Sequence, residues 1–256
     1  MKKSEDGKVK FFTGKHQYRI GKRALKSGTA FLAPYFQPFD AKAIARKLAK
    51  FPQNRKAKKG MRFWLSEWKQ AAQHGTDVHA WMEDYFYVLA NIDGGPKMDY
   101  ESIYEERTYA KFLEGAGWLQ EYWQNLDVLM PKGKAEYIVY NEGLGIAGQI
   151  DLLVERMDVK TGEMVVDLID WKTNKKIDGK NYEGLACFKP LEDFESSTFL
   201  KYQLQLSLYA YLLELQGKKI GRLILVHLKE NKAQEIDMGY RPGLIERLLD
   251  HRGKND

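Results

Sequence analysis

Two aspartates and a lysine stand where apolar strand sequence surrounds them. The stretch from Gly145 to Thr173 reads GIAGQIDLLVERMDVKTGEMVVDLIDWKT, with Asp151 inside its first apolar run and Asp170 and Lys172 inside its second. Charge in a half-buried strand is costly unless it is paired or binds a metal. Residues two apart share a strand face, so Asp170 and Lys172 point one way and Trp171 the other. This pattern offers carboxylates to a hard cation with an ammonium beside them, and it equally describes an ordinary same-face charge pair. Glu136 opens an upstream strand, EYIVYN. His79 and Gln205 fall on helical stretches. His79 alone also reads as a core histidine, and Gln205 as a core amide, which must find partners because a buried unpaired amide costs about 1–3 kcal/mol.

The elements that must position these groups follow from periodicity. From Ala135 to Lys172 the sequence alternates with a period of two and predicts three consecutive strands, the last two joined by a turn at Asp158 to Glu163. Residues 61–91 predict two helices broken at Gly75, the second with a core stripe of Val78, Met82, Tyr85, Phe86 and Leu89, His79 at its edge and Glu83 on the same side. After a turn at Asp93 to Pro96, a further helical stretch buries Phe112, Leu119, Tyr122, Trp123 and Leu126, is interrupted near Gly115 and Gly117, and ends by Pro131. Thr198 to Gly217 predicts an amphipathic helix with Gln205 inside a leucine-rich arc, Tyr209 one turn on, and Gln203, Ser207 and Glu214 opposite. A terminal hairpin around residues 230–232 and a short helix from Pro242 to His251 follow. Residues 174–197, carrying Tyr182, Phe188 and Phe194, form a long polar loop expected to arch over the cleft, with packing against it as the alternative, since loops of this length are usually functional or mobile.

Charge is unevenly spread. The net charge of +6 over 256 residues conceals seventeen Lys/Arg against three acids in residues 1–60, about +14, and about −8 in the remainder. A basic segment beside an acidic body suits a polyanion ligand with a cation-binding centre, and also describes a solvated tail. Residues 1–30, basic and poor in aliphatics, are expected to be ordered in part or only on a partner. Residues 39–51 predict a short amphipathic helix capped by Asp40 with a basic outer face. The expected organisation is a basic arm and short helix over residues 1–60, a helical region with the histidine over 61–133, and a core over 134–256. The single cysteine, Cys187, excludes an internal disulfide and any all-cysteine cluster within one chain. No apolar run reaches the roughly 18 residues needed to span a membrane, and MKKSEDGKVK lacks a signal-peptide core, which points to a soluble, cytoplasmic chain without a membrane partner.

In order along the chain, GTDVH (Gly75 to His79), Glu136, GQID (Gly148 to Asp151), DWKT (Asp170 to Thr173) and QLSLY (Gln205 to Tyr209) resemble the motif series of the PD-(D/E)XK nuclease superfamily, in particular its RecB-like exonuclease branch. DWKT is similar to the corresponding motif of phage exonucleases and of the mitochondrial genome-maintenance exonuclease. Each motif is weak alone; their joint order and context are specific. Ile150 replaces the proline of the formal PD motif, a common departure in that branch.

The resemblance implies an α/β fold with a restriction-endonuclease-like core, a central mixed sheet flanked by helices, extended here by a basic helical N-terminal segment. It implies Mg²⁺ or Mn²⁺ held by Asp151 and Asp170, with His79 a further ligand and Glu136 an accessory ligand or water holder. Lys172 would activate the attacking water, with a pKa lowered by the metal, and Gln205, Tyr209 and Thr173 would shape the cleft and meet the DNA backbone. No iron–sulfur cluster is expected. The implied activity is phosphodiester hydrolysis on DNA, from single-stranded or duplex ends, in replication, recombination or repair. A catalytically silent nucleic-acid-binding or recombination-partner protein, and a structure-specific endonuclease, are the alternatives. Oligomeric state is left open.

Overall fold

The computed structural model describes residues 1–91, 106–126, 132–181 and 183–254. The Asp93 to Pro96 turn, Pro131 and Tyr182 lie outside these described residues.

The chain opens with strands, not with a partly ordered helical arm. β1 (Lys2–Lys3), β2 (Val9–Phe12), β3 (Gln17–Ile20) and β4 (Arg23–Ser27) form an antiparallel meander. The physical reason is a period of two that the basic composition masks. Val9, Phe11, Tyr18 and Leu25 are buried with Ile138 and Ala147, while lysines and arginines alternate outward. Gly21, at φ +55°, makes the tight turn between β3 and β4. The helical part of the expected extension is present further on: α1 (Gly28–Leu32), α2 (Ala41–Ala49) and α3 (Pro52–Lys56), with the Asp40 side chain capping α2 through the Ala43 amide at 2.9 Å.

α4 runs unbroken from Met61 to Leu89, so Gly75 does not divide it. A glycine inside a helix costs about 1 kcal/mol, and here tertiary packing offsets that cost: a Cβ at Gly75 would lie 3.0 Å from Thr173 Oγ1. α5 (Glu106–Gln124) is likewise continuous. Gly115 lets it approach α4 closely, since a Cβ there would stand 2.8 Å from Met82 Sδ.

The central sheet is mixed. β5 (Lys132–Asn141), β6 (Ile146–Met157) and β7 (Met164–Lys172) are consecutive antiparallel strands; β8 (Ile220–Lys229) joins β7 in parallel, and β9 (Lys232–Asp237) closes the edge antiparallel to β8. One edge of β6 is lined by β5. Its other edge is shared end to end by β4, parallel at Ile146 and Ala147, and by β7, antiparallel from Leu152 to Met157. Between those two partners β6 is unpaired on that edge over residues 148–151, the GQID segment.

Helices cover both faces. α4 and α5 pack on Leu152, Val154, Ile169, Trp171, Ile224, Val226 and Leu228. α1, α6 (Thr198–Glu214) and α7 (Pro242–Gly253) pack on Leu153, Val166, Leu168 and Leu225. The alternation expected for DWKT is observed: Trp171 meets Trp118 of α5 edge-on at 5.6 Å, and Lys172 lies over the Tyr202 ring of α6 at 5.1 Å. α6 has no solvent-facing side at Gln203 and Ser207, contrary to the amphipathic expectation. Both are buried because α7 and the segment before it cover that flank, where Gln203 donates to Met238 O and Ser207 Oγ accepts from the Arg241 amide at 3.1 Å. Nor does the loop after β7 arch free. Leu191 and Cys187 are buried in the α6 core beside Tyr35 and Phe36, and the Phe188 amide bonds Tyr35 O at 2.9 Å. Among the described residues no helix is long and apolar enough to cross a membrane.

Candidate metal centre

The GQID segment, unpaired on the edge between β4 and β7, does three separate things. Gly148 opens a slot: a Cβ there would lie 2.1 Å from Tyr209 Cε1, and Gly28 borders the same ring at 2.6 Å. The Gln149 side chain donates to Glu136 O at 3.2 Å. Asp151 turns its carboxylate toward β7, where Oδ2 accepts the Trp171 amide at 2.9 Å and so closes the gap between strands that have stopped pairing. Gly148→Ala is therefore expected to displace the buried Tyr209 ring and lower stability by about 1–3 kcal/mol in chemical denaturation; an unchanged midpoint would show that the slot is not close-packed.

His79, Glu136 and Asp151 converge. Each offers one ligand atom such that all of them lie within 4.8 Å of one another. His79 arrives from the middle of α4, with Nδ1 3.3 Å from Asp151 Oδ2. Glu136 reaches the cluster at a conformational cost. Its φ of +53° is left-handed, and it is skipped in the β5–β6 ladder between the Ala135–Leu152 and Tyr137–Ile150 pairs. Such backbone costs on the order of 1–3 kcal/mol and is commonly found at functional sites.

Asp170 and Lys172 form a second group beside the first. Lys172 Nζ pairs with Asp170 and also donates to Trp171 O at 3.2 Å. Asp170 is thus held by the lysine and is not one of the three converging ligands. The segment after Lys172 is pinned from three sides: Lys111 Nζ donates to Thr173 O at 3.1 Å, Tyr202 Oη donates to Asn174 Oδ1 at 3.0 Å, and the His227 ring nitrogen meets Asn174 O at 2.5 Å. Thr173 rests against Gly75 of α4, so the helix bearing His79 and the strand bearing Asp170 are locked together at the two residues flanking the site.

The charges are strongly coupled. Burial pushes Asp151 up, but His79, Lys172 and the Trp171 amide outweigh it and leave Asp151 below the usual carboxylate range. Asp170 is raised, by burial first and then by Asp151, against the opposing pull of Lys172. Glu136 is pushed up to about 7, by burial and by the Asp151 charge, with Lys2 opposing. Burial lowers Lys172, but Asp170 and Asp151 more than compensate, and it stands above an ordinary lysine. The lowered value expected beside a metal is not what these carboxylates alone produce; a divalent ion would act against them.

Gln205 and Tyr209 hydrogen-bond each other, and Tyr209 is buried, with its phenol pushed up first by burial and then by the charges of its neighbours. Its ring lies against Gly148 and Gly28. Periodicity and composition did not point to Lys2, Tyr18 or Tyr202. Lys2 Nζ sits 3.0 Å from both Glu83 carboxylate oxygens and 3.1 Å from Glu136 Oε2. Tyr18 is near enough to Glu136 and Asp151 for both, after burial, to raise its phenol. Only Glu83 had a signal, its helical spacing from His79. A separate concavity of about 550 Å³, lined by Trp118, Tyr122, Arg156, Asp167 and Arg222, lies toward the other ends of β6 and β7. Asp167 there is already bound by Arg156, Tyr122 and the Arg222 amide, so that concavity is separate from the ligand cluster.

The family model described as PD-(D/E)XK nuclease superfamily matches residues 56–250. No curated protein matches the chain. Among solved structures, one titled "Crystal structure of SSO0001" is similar at 17% identity over 70% of this chain and 75% of that one, with a TM-score of 0.27, too distant to argue from.

Proposed function

The chain belongs to the PD-(D/E)XK nuclease superfamily, and on that premise we propose that it is a divalent-metal-dependent deoxyribonuclease of the RecB-like branch that degrades DNA from its ends. The observation that carries this reading is the convergence of His79, Glu136 and Asp151 beside the Asp170–Lys172 pair, where β6 is unpaired between its β4 and β7 partners.

The donor set fits Mg²⁺ or Mn²⁺: oxygen ligands suit either, and one imidazole extends the fit to Mn²⁺. His79, Glu136, Asp151 and Asp170 are the residues that would hold it. When bound, such an ion polarises a phosphoryl oxygen and makes its bound water a better nucleophile at neutral pH. The rest is the work of the chain. Lys172, steered by Asp170, Trp171 O and the Tyr202 ring, orients the attacking water and counters the charge that develops on the phosphoryl oxygens. Gln205 and Tyr209 keep the floor in place, and Thr173 keeps α4 and β7 in register.

The meander supplies a docking face for phosphates. Lys3, Lys10 and Arg19 are direct cross-strand neighbours on β1, β2 and β3. Like charges so placed repel, and a polyanion relieves that repulsion. End-directed action rests on the RecB-like motif order, with Gly75 to His79 ahead of the core and Gln205 to Tyr209 behind it.

Incubation of the full chain with end-labelled single-stranded DNA, linear duplex and closed circular duplex, in Mg²⁺, Mn²⁺ or EDTA, tests the reading. Linear substrates should shorten from their ends, closed circles should survive, and EDTA should stop the reaction. Cutting of closed circles would make the protein an endonuclease. DNA binding without cleavage in either metal would leave a silent binding protein.

A further inference from the structure

Lys2 lies outside the span matched by the family, yet its ammonium enters the ligand cluster. β1 is only two residues long, and its register decides where each lysine goes. Lys3 pairs with Lys10 on the outward face. Lys2 pairs with Phe11, itself opposite Tyr18, on the face that is buried. The Lys2 side chain is 35% exposed, whereas Glu83 and Glu136 are 16% and 18% exposed. One ammonium thus spans two largely buried carboxylates, one of which, Glu136, is also a member of the His79–Glu136–Asp151 cluster.

The ammonium stands where a second cation would stand: it lies 3.0 Å from both Glu83 carboxylate oxygens and 3.1 Å from Glu136 Oε2, and it is the group that separates these two carboxylates. Two-metal phosphodiester sites place their ions about 3.5–4 Å apart, commonly bridged by a shared carboxylate, and Glu136 has that shared position here, between the cluster and the ammonium.

We propose that Lys2 is a positioning residue that occupies the second-cation position of this site, so that the protein binds one divalent ion where Glu83 and Glu136 would otherwise hold another. The lysine fixes Glu136 in its left-handed backbone setting and limits the metal stoichiometry to one. The inference rests on the metal-binding reading above.

Counting bound Mn²⁺ on the full chain, by equilibrium titration followed through the electron paramagnetic resonance signal of the free ion, tests it. Wild type should bind one ion and Lys2→Met two. Lys2→Arg, which keeps a cation, should restore one, and Lys2→Met combined with Glu83→Gln should also return to one. β1 is short and at the rim, so these substitutions leave the core packing untouched; matching circular dichroism spectra would verify this. Two ions on wild type, or one on Lys2→Met, would overturn the role given to Lys2. A wild-type chain that binds no Mn²⁺ would instead defeat the metal-binding reading itself, and the role of Lys2 with it.

Discussion

Asp170→Asn is expected to reduce metal-dependent DNA cleavage roughly a thousandfold or more while leaving the fold and DNA binding intact. The substitution keeps the shape of the side chain and removes its charge. Asp170 is 4% exposed at the end of β7, and its position is set by the strand, by Lys172 and by the coupling to Asp151. Burial and Asp151 already disfavour its charged form, and an asparagine Oδ1 can still accept from Lys172 Nζ, so the buried ammonium keeps a partner. A carboxylate kept in such a place against its own desolvation is best explained by a cation that it serves. Cleavage should be compared at saturating Mg²⁺ and Mn²⁺, with DNA binding measured separately in EDTA. Turnover near the wild-type level in a preparation free of contaminating nuclease would remove Asp170 from the site.

Lys172→Met should cost about 10²–10⁴-fold in cleavage rate, the range for loss of a group that moves or holds a proton in the transition state. Lys172→Arg is the informative companion. An arginine keeps the positive charge but does not deprotonate, and its planar fork does not fit the contacts now made by a compact ammonium with Asp170, Trp171 O and the Tyr202 ring. Little recovery by Arg would assign Lys172 to proton handling; full recovery would reduce its part to charge alone. Removing Lys172 also takes away the strongest influence holding the raised Asp170 pKa down, so that pKa is expected to rise further in the metal-free variant.

The parts of the site readable from sequence are those whose chemistry is local. Asp151, Asp170 and Lys172 announced themselves as charge inside apolar strands, and their face assignment followed from the pleat. Long-range packing was not readable. Helix propensity predicts a break at Gly75, whereas it is the place where α4 touches Thr173. Amphipathic periodicity implies one buried face and sets Gln203 and Ser207 opposite it, but α6 is covered on both sides and both residues are buried. Leu191 and Cys187 sit in a loop whose polar average hides the two residues that anchor it. The first thirty residues were judged by composition, which conceals the alternation of Val9, Phe11, Tyr18 and Leu25 with outward cations. The Lys2–Glu136 pair spans 134 residues of chain, and no local pattern predicts such a contact.

The most direct measurement of the central claim is an anomalous-scattering map from crystals of the full chain grown or soaked in Mn²⁺. The account predicts a peak at about 2.0–2.5 Å from carboxylate oxygens of the centre, touching Asp151 together with His79 or Asp170. Strong Mn²⁺ density elsewhere on the molecule with none at Asp151, under conditions in which the protein cleaves DNA, would contradict it.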